Sequence, residues 1–395
     1  MVDHGDDGPC RAQAVLSVAS SIFVGSRDEV RSAEGQPVLG ENEEAALTAR
    51  VQQLADAGDV TGLDRSLHHL CADIDGDRDF EGGQLIGPLR AMPTSTRVLL
   101  LRRMTDGLEE TAVHDPGRCR GLASLIVLLA HGLPAEQLAA WREPLMAEAA
   151  GEMTLWEGWR LTCLVEVEQA AGRTLPDPVV ATVRRTALIS ETPGGLRPLA
   201  STILEPVLNP GEPWAERVIT DLTGAAPAWH ALVAHALTAT GSRPTGKWQR
   251  LGHGLLANVG PDRARGAMTS WLAPAGEPRT TPVNSHHRTG TAEFELDPFN
   301  ARALQGLAAL LALTPAHPQS AAALGQLVEA ALIRLPGIGW RSPRTAGAAV
   351  HALTQLGDED AYAELSRLAG TVKYRPTLRA VSAALAGRTP RRPSP

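Results

Sequence analysis

Residues 343–387 read PRTAGAAVHALTQLGDEDAYAELSRLAGTVKYRPTLRAVSAALAG. Apolar residues recur there at helical spacing over 343–356, 359–370 and 375–386, which predicts three helices. Gly357 lies where a left-handed residue ends a helix, and an acidic run then begins the next one. The stretch therefore predicts successive helices joined by short connections.

The same pattern extends from about residue 42 to the end of this stretch, with each apolar block closed by Gly or Pro. Counting one helix near 11–24, we expect roughly 18 helices, so each helical hairpin takes about 44 residues, as in HEAT or armadillo repeats. The predicted fold is therefore all-α, an α-solenoid of HEAT/armadillo-like helical hairpins. An irregular helical bundle is the alternative, because no strict repeat motif is readable.

Composition favours the same fold class. The chain has 61 Ala among 395 residues but only 4 Phe and 2 Tyr, so helix formers abound and aromatic strand formers are scarce. The longest apolar run, 122–130, is too short to span a bilayer. The apolar stretch 12–24 follows acidic residues where a signal peptide has basic ones, so we expect a cytoplasmic protein.

Changes in composition predict the organisation of the chain. An N-terminal helix and loose link over 1–40 precede a helical-repeat region over 41–272. A loop rich in Pro, Thr and His follows over 273–297, then C-terminal helical repeats over 298–387. The Pro- and Arg-rich tail, 388–395, has no apolar residue to bury and is expected to be disordered.

Four short stretches in the C-terminal part resemble the helical region of the molybdate-metabolism-regulator-like family, a group of large bacterial proteins. They are RPTGKW at 243–248, NARALQGL at 300–307, LPGIGWRSPR at 335–344 and VKYR at 372–375. The resemblance covers about residues 244–387. It implies helical repeats that serve as an interaction region, and it supplies no catalytic residue.

A run of potential metal ligands lies between residues 68 and 79. His69, Asp73, Asp75 and Asp77 are its weak candidates for a metal site. If Asp73 is position 1 of an EF-hand loop, Arg78 stands where Gly is needed and Gln84 where a bidentate Glu is needed. A second pair of zinc ligands is also missing from the sequence. We therefore predict no metal and no other cofactor, and expect an acidic loop after a helix.

His286 and His287, in the predicted loop, are weak candidates for a general base. No nucleophile motif stands beside them, and the common hydrolase, metalloprotease and nucleotide-binding motifs are missing from the sequence. Whether the protein is an enzyme is left open. His230 and His235 fall on one predicted helix, and we interpret them as a core and a rim residue respectively.

Cations lie next to aromatic residues at two predicted helix junctions. They give five candidate ligand-binding residues: Arg341, Arg344, Lys373, Tyr374 and Arg375. If neighbouring repeats stack, these residues could line one groove that suits an anionic partner. Ordinary packing at the junctions, with solvated arginines, is the alternative.

Charge is distributed unevenly along the chain. Residues 1–240 carry 19 basic and 34 acidic residues, a net charge of −15, whereas residues 241–395 carry 18 and 10, a net charge of +8. This asymmetry could orient the protein against a partner, although a solvent-exposed surface whose charge content simply varies along the chain explains it as well.

The leading functional hypothesis is a non-enzymatic helical-repeat protein that binds a protein or peptide partner, possibly anionic, on its concave face. An enzyme or small-molecule binder with a pocket inside the helical array is the first alternative. A HEAT-like nucleic-acid binder is the second, and it is disfavoured by the net charge of −7. No membrane partner is expected.

Overall fold

The computed structural model describes residues 41–73, 83–105, 116–134, 139–154, 158–189, 196–284, 292–336 and 338–387. Within these ranges the protein is all-helical, with 18 helices and almost no strand, which confirms the predicted class. The predicted N-terminal helix and link over 1–40 and the tail over 388–395 lie outside the described residues.

The chain divides into two compact units, Met1–Thr202 and Ile203–Pro395. This division falls well before the predicted 273–297 loop, which belongs to the second unit. The described helices of the first unit are α1 (Glu41–Asp56), α2 (Val60–Asp73), α3 (Gly83–Ala91), α4 (Thr94–Thr105), α5 (Pro116–Ala130), α6 (Ala139–Gly151), α7 (Gly158–Ala170), α8 (Asp177–Ile189) and α9 (Leu196–Thr202).

The second unit contains the remaining helices and a small hairpin. In chain order they are α10 (Pro213–Leu222), α11 (Pro227–Leu237), α12 (Gly246–Val259), α13 (Pro261–Leu272), the 3₁₀ helices η1 (Ala273–Gly276) and η2 (Ala292–Phe294), α14 (Asn300–Leu311), α15 (Pro318–Ala331), β1 (Arg334–Leu335), β2 (Gly339–Trp340), α16 (Pro343–Leu356), α17 (Glu359–Thr371) and α18 (Arg375–Ala386).

The helix ends follow the turn chemistry of the sequence. Proline occupies the first turn of α10, α11, α13, α15 and α16, where its missing N–H costs nothing. Gly357 ends α16 in the left-handed conformation, with φ of 59°. The side chain of Asp358 then accepts a hydrogen bond from Ala361 N at 2.8 Å and caps α17.

Helices pack on their second neighbours in both units. In the first unit α1 packs on α3, α2 on α4, α5 on α7 and α6 on α8. In the second unit α12 packs on α14, α13 on α15, α14 on α16 and α15 on α17. Small and branched apolar side chains fill the second core, in which Trp214 and Trp271 are the largest fully buried residues.

Two helices approach each other closely at Gly306, on α14. A Cβ atom there would lie 2.5 Å from the Cα of Ala236, on α11, nearer than real Cβ atoms come. Only glycine allows the two backbones to pack this tightly.

Candidate functional site

Exposed charged side chains and two aromatic residues surround the β-hairpin between α15 and α16. β1 and β2 pair antiparallel, with Arg334 opposite Trp340 and Leu335 opposite Gly339. The sequence pattern did not predict this hairpin, because each strand has only two residues. Leu335 is buried and anchors it, whereas Ile338 at the turn is 40% exposed. A groove of about 470 Å³ runs along the hairpin, lined by Arg334, Leu335, Pro336, Ile338 and Gly339.

The structure brings the two predicted aromatic junctions together. The ring centroids of Trp340 and Tyr374 lie 5.6 Å apart with the planes tilted by 51°. Tyr374 directly precedes α18, and Trp340 ends the hairpin, so the contact joins two helix connections that are distant in sequence. Both aromatic residues are half-buried and keep part of their surface in solvent.

Four cations lie on the elements that carry this aromatic pair. Arg334, Arg344, Lys373 and Arg375 are all exposed. None of them makes an ion pair or a side-chain hydrogen bond with any residue that the structure describes. We call this set the hairpin surface: Arg334, Pro336, Ile338, Trp340, Arg344, Lys373, Tyr374 and Arg375.

Arg341 does not belong to the hairpin surface, although the sequence analysis grouped it with the other candidates. Its side chain is only 2% exposed. Nε donates to Phe294 O at 2.7 Å, and Nη1 donates to Ala275 O at 2.5 Å. Burial lowers the pKa of Arg341, and the negative charge of Glu212 opposes this effect. Successive residues of an extended chain point to opposite sides, so Trp340 outside places Arg341 inside.

Arg341 points toward a fully buried cluster of amide and carboxyl groups, which we call the carboxyl node: Asn209, Glu212, Asp297 and Asn300. Asn300 Nδ2 donates to Glu212 Oε2 at 2.9 Å and to Asn209 O at 2.8 Å. Asn209 Nδ2 donates to both oxygens of Asp297, at 3.2 and 3.1 Å. Asp297 Oδ1 also accepts from Phe299 N and Asn300 N, and so caps α14.

Glu212 is the most perturbed acid of the node. It is 1% exposed. Burial, followed by the negative charge of Asp297, raises the pKa of Glu212 to about 7, against the opposing charge of Arg279 and a hydrogen bond from Asn300. Glu212 therefore changes charge near neutral pH, while it is enclosed by protein.

The chain on either side of η2 lies across the node. We call residues 277–284 and 292–299 the strap. Arg279 N donates to Glu293 O at 2.7 Å and joins its two parts, and Thr280 N donates to Gly211 O at 3.2 Å. Gly211 has φ of +99°, and a Cβ there would lie 2.7 Å from Arg279 Nη2. Glycine at this position therefore leaves room for the guanidinium of Arg279 to pass over the backbone.

The other predicted site residues do not form a site in the described part of the chain. His286, His287, Asp75 and Asp77 lie outside the described residues. His69 is exposed on α2, and Asp73 is the last residue of that helix. Among the described residues there is no group of three or more His, Cys, Asp or Glu that could hold a metal ion.

The first unit holds a second group of polar side chains, which the sequence analysis missed. Arg90 Nη2 donates to the thiol of Cys163 at 2.8 Å, and His131 Nε2 lies 2.5 Å from Glu166 Oε2. Burial nevertheless raises the pKa of Cys163, against the opposing charge of Arg90. The thiol is therefore protonated at neutral pH and is a weak nucleophile.

Sequence reasoning also missed Asn209, Glu212 and Asp297. Glu212 and Asn300 are 88 residues apart, so no local spacing predicts their contact. Asn300 and Arg341 do fall within two of the stretches that carry the family resemblance. Those stretches were the only signal pointing toward the node.

Comparison with family models, curated proteins and solved structures finds no match. The resemblance to the molybdate-metabolism-regulator-like family therefore stays a prediction. Among the described residues, none of the helices combines the length and apolar character that crossing a membrane requires.

Proposed function

We propose that the protein is a non-enzymatic helical-repeat interaction protein whose hairpin surface binds an acidic segment of a partner protein. One observation carries this proposal: the contacting rings of Trp340 and Tyr374 lie among exposed cations that have no partner in the described part of the chain. The family resemblance, which implies an interaction region, points the same way.

The chemistry of the hairpin surface favours a protein segment as the occupant. Aromatic residues and arginine dominate the binding energy of protein interfaces. The groove beside Ile338 offers apolar surface for one side chain of the partner, while Arg334, Lys373 and Arg375 supply positive charge. An acidic peptide with an apolar anchor complements both features. The net charge of +8 over residues 241–395 attracts such a segment over a longer range.

We further propose that the helices of each unit are stacked in HEAT/armadillo-like hairpins. Contacts between each helix and its second neighbour support this arrangement, because stacked hairpins place equivalent helices side by side. The succession α12–α14, α13–α15, α14–α16, α15–α17 and α16–α18 is the longest uninterrupted example among the described helices. In such a stack, helix connections such as the hairpin line one edge and are free to bind.

Fluorescence anisotropy with a labelled 12-residue peptide of Glu and Leu tests the proposed binding. We expect saturable binding by the full chain that weakens as salt is added, because exposed charges are screened. Charge reversal of Lys373 and Arg375 together, by Lys373→Glu and Arg375→Glu, should lower the affinity about tenfold. Trp340→Ala should lower it as well, without changing the salt dependence.

Arg263→Glu is the matched control, since Arg263 is exposed on α13 and outside the hairpin surface. It should leave the affinity unchanged. Equal losses of affinity in Arg263→Glu and in the Lys373/Arg375 variant would show that the peptide binds only through a nonspecific charge effect. Tighter binding of a DNA duplex than of the peptide would replace the proposal with the nucleic-acid alternative.

A further inference from the structure

The carboxyl node connects segments that are far apart in the chain. Asn209 and Glu212 precede α10, Asp297 and Asn300 begin α14, and Arg279 comes from the strap. Asp297 N donates to Glu212 Oε1 at 3.1 Å, so the strap ends directly on the Glu212 carboxyl. Opening the strap would expose Glu212 to water.

All the charged groups that face Glu212 come from other segments. Asp297 adds a second negative charge, and Arg279 and Arg341 add two positive ones. Glu216, on α10, does not face Glu212: it accepts from Gly211 N at 3.2 Å and from the hydroxyl of Thr280 in the strap. The charge of the enclosed node therefore depends on whether Glu212 carries a proton.

Burial raises the pKa of Glu212 to about 7 while the strap is closed. In an open state, water would return that pKa toward the ordinary value of 4.5. The closed state thus holds the proton more tightly than the open state does. By linkage, raising the pH from about 4.5 to about 7 favours opening, and above that range the effect levels off.

We propose that Glu212 and Asp297 form a proton-operated latch, which keeps the strap closed on the start of α10 while Glu212 is protonated and releases it when Glu212 ionises. Arg341 couples the opening of the strap to the hairpin, because its guanidinium donates to Phe294 O in the strap and faces Glu212. The latch is a property of the second unit and does not depend on the proposed peptide binding.

Amide hydrogen exchange of the full chain, without any peptide, tests the latch. After correction for intrinsic exchange rates, protection of the amides of Thr280 and Asp297 should fall about tenfold between pH 5.5 and pH 7.5. The amides of α17 should keep constant protection and serve as the internal reference. Protection of the strap that does not change over this pH range would overturn the proposal.

Three variants separate the latch from general loosening of the fold. Glu212→Gln cannot ionise, so its strap protection should not vary with pH. Asp297→Asn keeps the oxygen that caps α14 but removes the neighbouring negative charge, which should move the pH midpoint downward. Glu359→Gln is the control, because Glu359 is exposed on α17 and makes no contact with the described part of the strap, and it should keep the wild-type pH profile. A pH-dependent loss of protection that persists in Glu212→Gln would assign it to another group.

Discussion

Arg341 Nη2 lies 3.9 Å from Glu212 Oε1, and the two side chains are 2% and 1% exposed. The other two nitrogens of the guanidinium, Nε and Nη1, donate to the carbonyl oxygens of Phe294 and Ala275 respectively. One arginine thus joins the hairpin to the strap, to η1 and to the carboxyl node. Because the pair is enclosed, removing one partner should cost far more than breaking a surface ion pair, since the other charge stays buried.

Arg341→Ala should destabilise the protein by about 3 kcal/mol, since it leaves the carbonyl groups of Phe294 and Ala275 without their donor and removes a positive charge that faces the buried Glu212. Arg341→Lys keeps the charge but not the planar fork of donors, and should lose an intermediate amount. Urea denaturation followed by circular dichroism measures both changes.

Arg344→Ala is the matched control for Arg341, because Arg344 is exposed and has no partner in the described part of the chain. We expect its free energy of unfolding to stay within about 0.5 kcal/mol of wild type. An Arg341→Ala variant as stable as Arg344→Ala would contradict the structural role of Arg341.

Gly306→Ala should be among the most damaging single-methyl changes. The new Cβ would lie 2.5 Å from the Cα of Ala236, so α11 and α14 must separate. We expect a loss of about 3 kcal/mol in the free energy of unfolding, measured by urea denaturation. Gly254→Ala, on α12, meets nothing within 4 Å and should instead stabilise the helix by up to about 1 kcal/mol. Equal effects of the two changes would contradict the close helix approach.

Most helix positions in the described part of the chain could be predicted from the sequence. The predicted spans 343–356 and 375–386 match α16 and α18, because Gly and Pro mark their ends. Helix α3 could not be predicted from apolar spacing, because Gly83, Gly87 and Pro88 interrupt the pattern and the burial of Leu85 and Leu89 stabilises the helix. These are packing effects that local propensity does not contain.

The apolar pattern of residues 196–208 predicts one helix over the whole stretch, but α9 ends at Thr202. Asn209, which follows this stretch, is fully buried in the carboxyl node. The core and rim positions of His230 and His235 were also reversed. His235 is buried, stacks on Trp248 at 4.3 Å and donates to its carbonyl oxygen at 3.0 Å. The spacing of residues on a helix separates its two faces but does not show which face is buried against the rest of the protein.

The hairpin surface could be predicted in part. Adjacency in sequence identified Trp340 and Arg344 at one junction and Lys373, Tyr374 and Arg375 at the other, and the structure adds Arg334 from the hairpin. The inward turn of Arg341 could not be predicted, since it depends on a strand too short to show alternation.

Glu168 offers a test of buried charge in the first unit. It is 1% exposed and accepts hydrogen bonds from Arg173 at 2.6 and 2.9 Å and from Arg142 at 2.9 Å. Burial alone would raise the pKa of Glu168, but these bonds lower it below the usual value. Glu168→Gln should cost about 3 kcal/mol in urea denaturation, because two arginines lose their carboxylate.

Glu166→Gln is the matched control, on the same helix. The Glu166 side chain is 44% exposed, so its pair with His131 contributes at most about 1 kcal/mol. The wild-type advantage over Glu168→Gln should be present above pH 4.5 and disappear as the pH falls through the lowered pKa of Glu168. An advantage that is constant down to low pH would show that the charge of Glu168 is not involved.

Glu212 should make the stability of the protein depend on pH in the opposite direction. Its pKa is about 7 in the folded chain and 4.5 when unfolded, so between these values the folded chain keeps a proton that the unfolded chain releases. The free energy of unfolding should therefore fall as the pH rises from about 4.5 to about 7, by at most about 3 kcal/mol, and then level off.

A buried histidine changes stability in the same pH range, so the measurement must be a difference. Burial lowers the pKa of His235, which makes stability rise with pH up to about 6.5. His235 is present in both wild type and Glu212→Gln, and its effect cancels when one urea series is subtracted from the other. The free energy of unfolding of Glu212→Gln minus that of wild type should increase as the pH rises from 4.5 to 7, because only wild type loses stability through Glu212. A difference that stays constant over that range would mean that Glu212 keeps its ordinary pKa, and the enclosure of the carboxyl node would then be wrong.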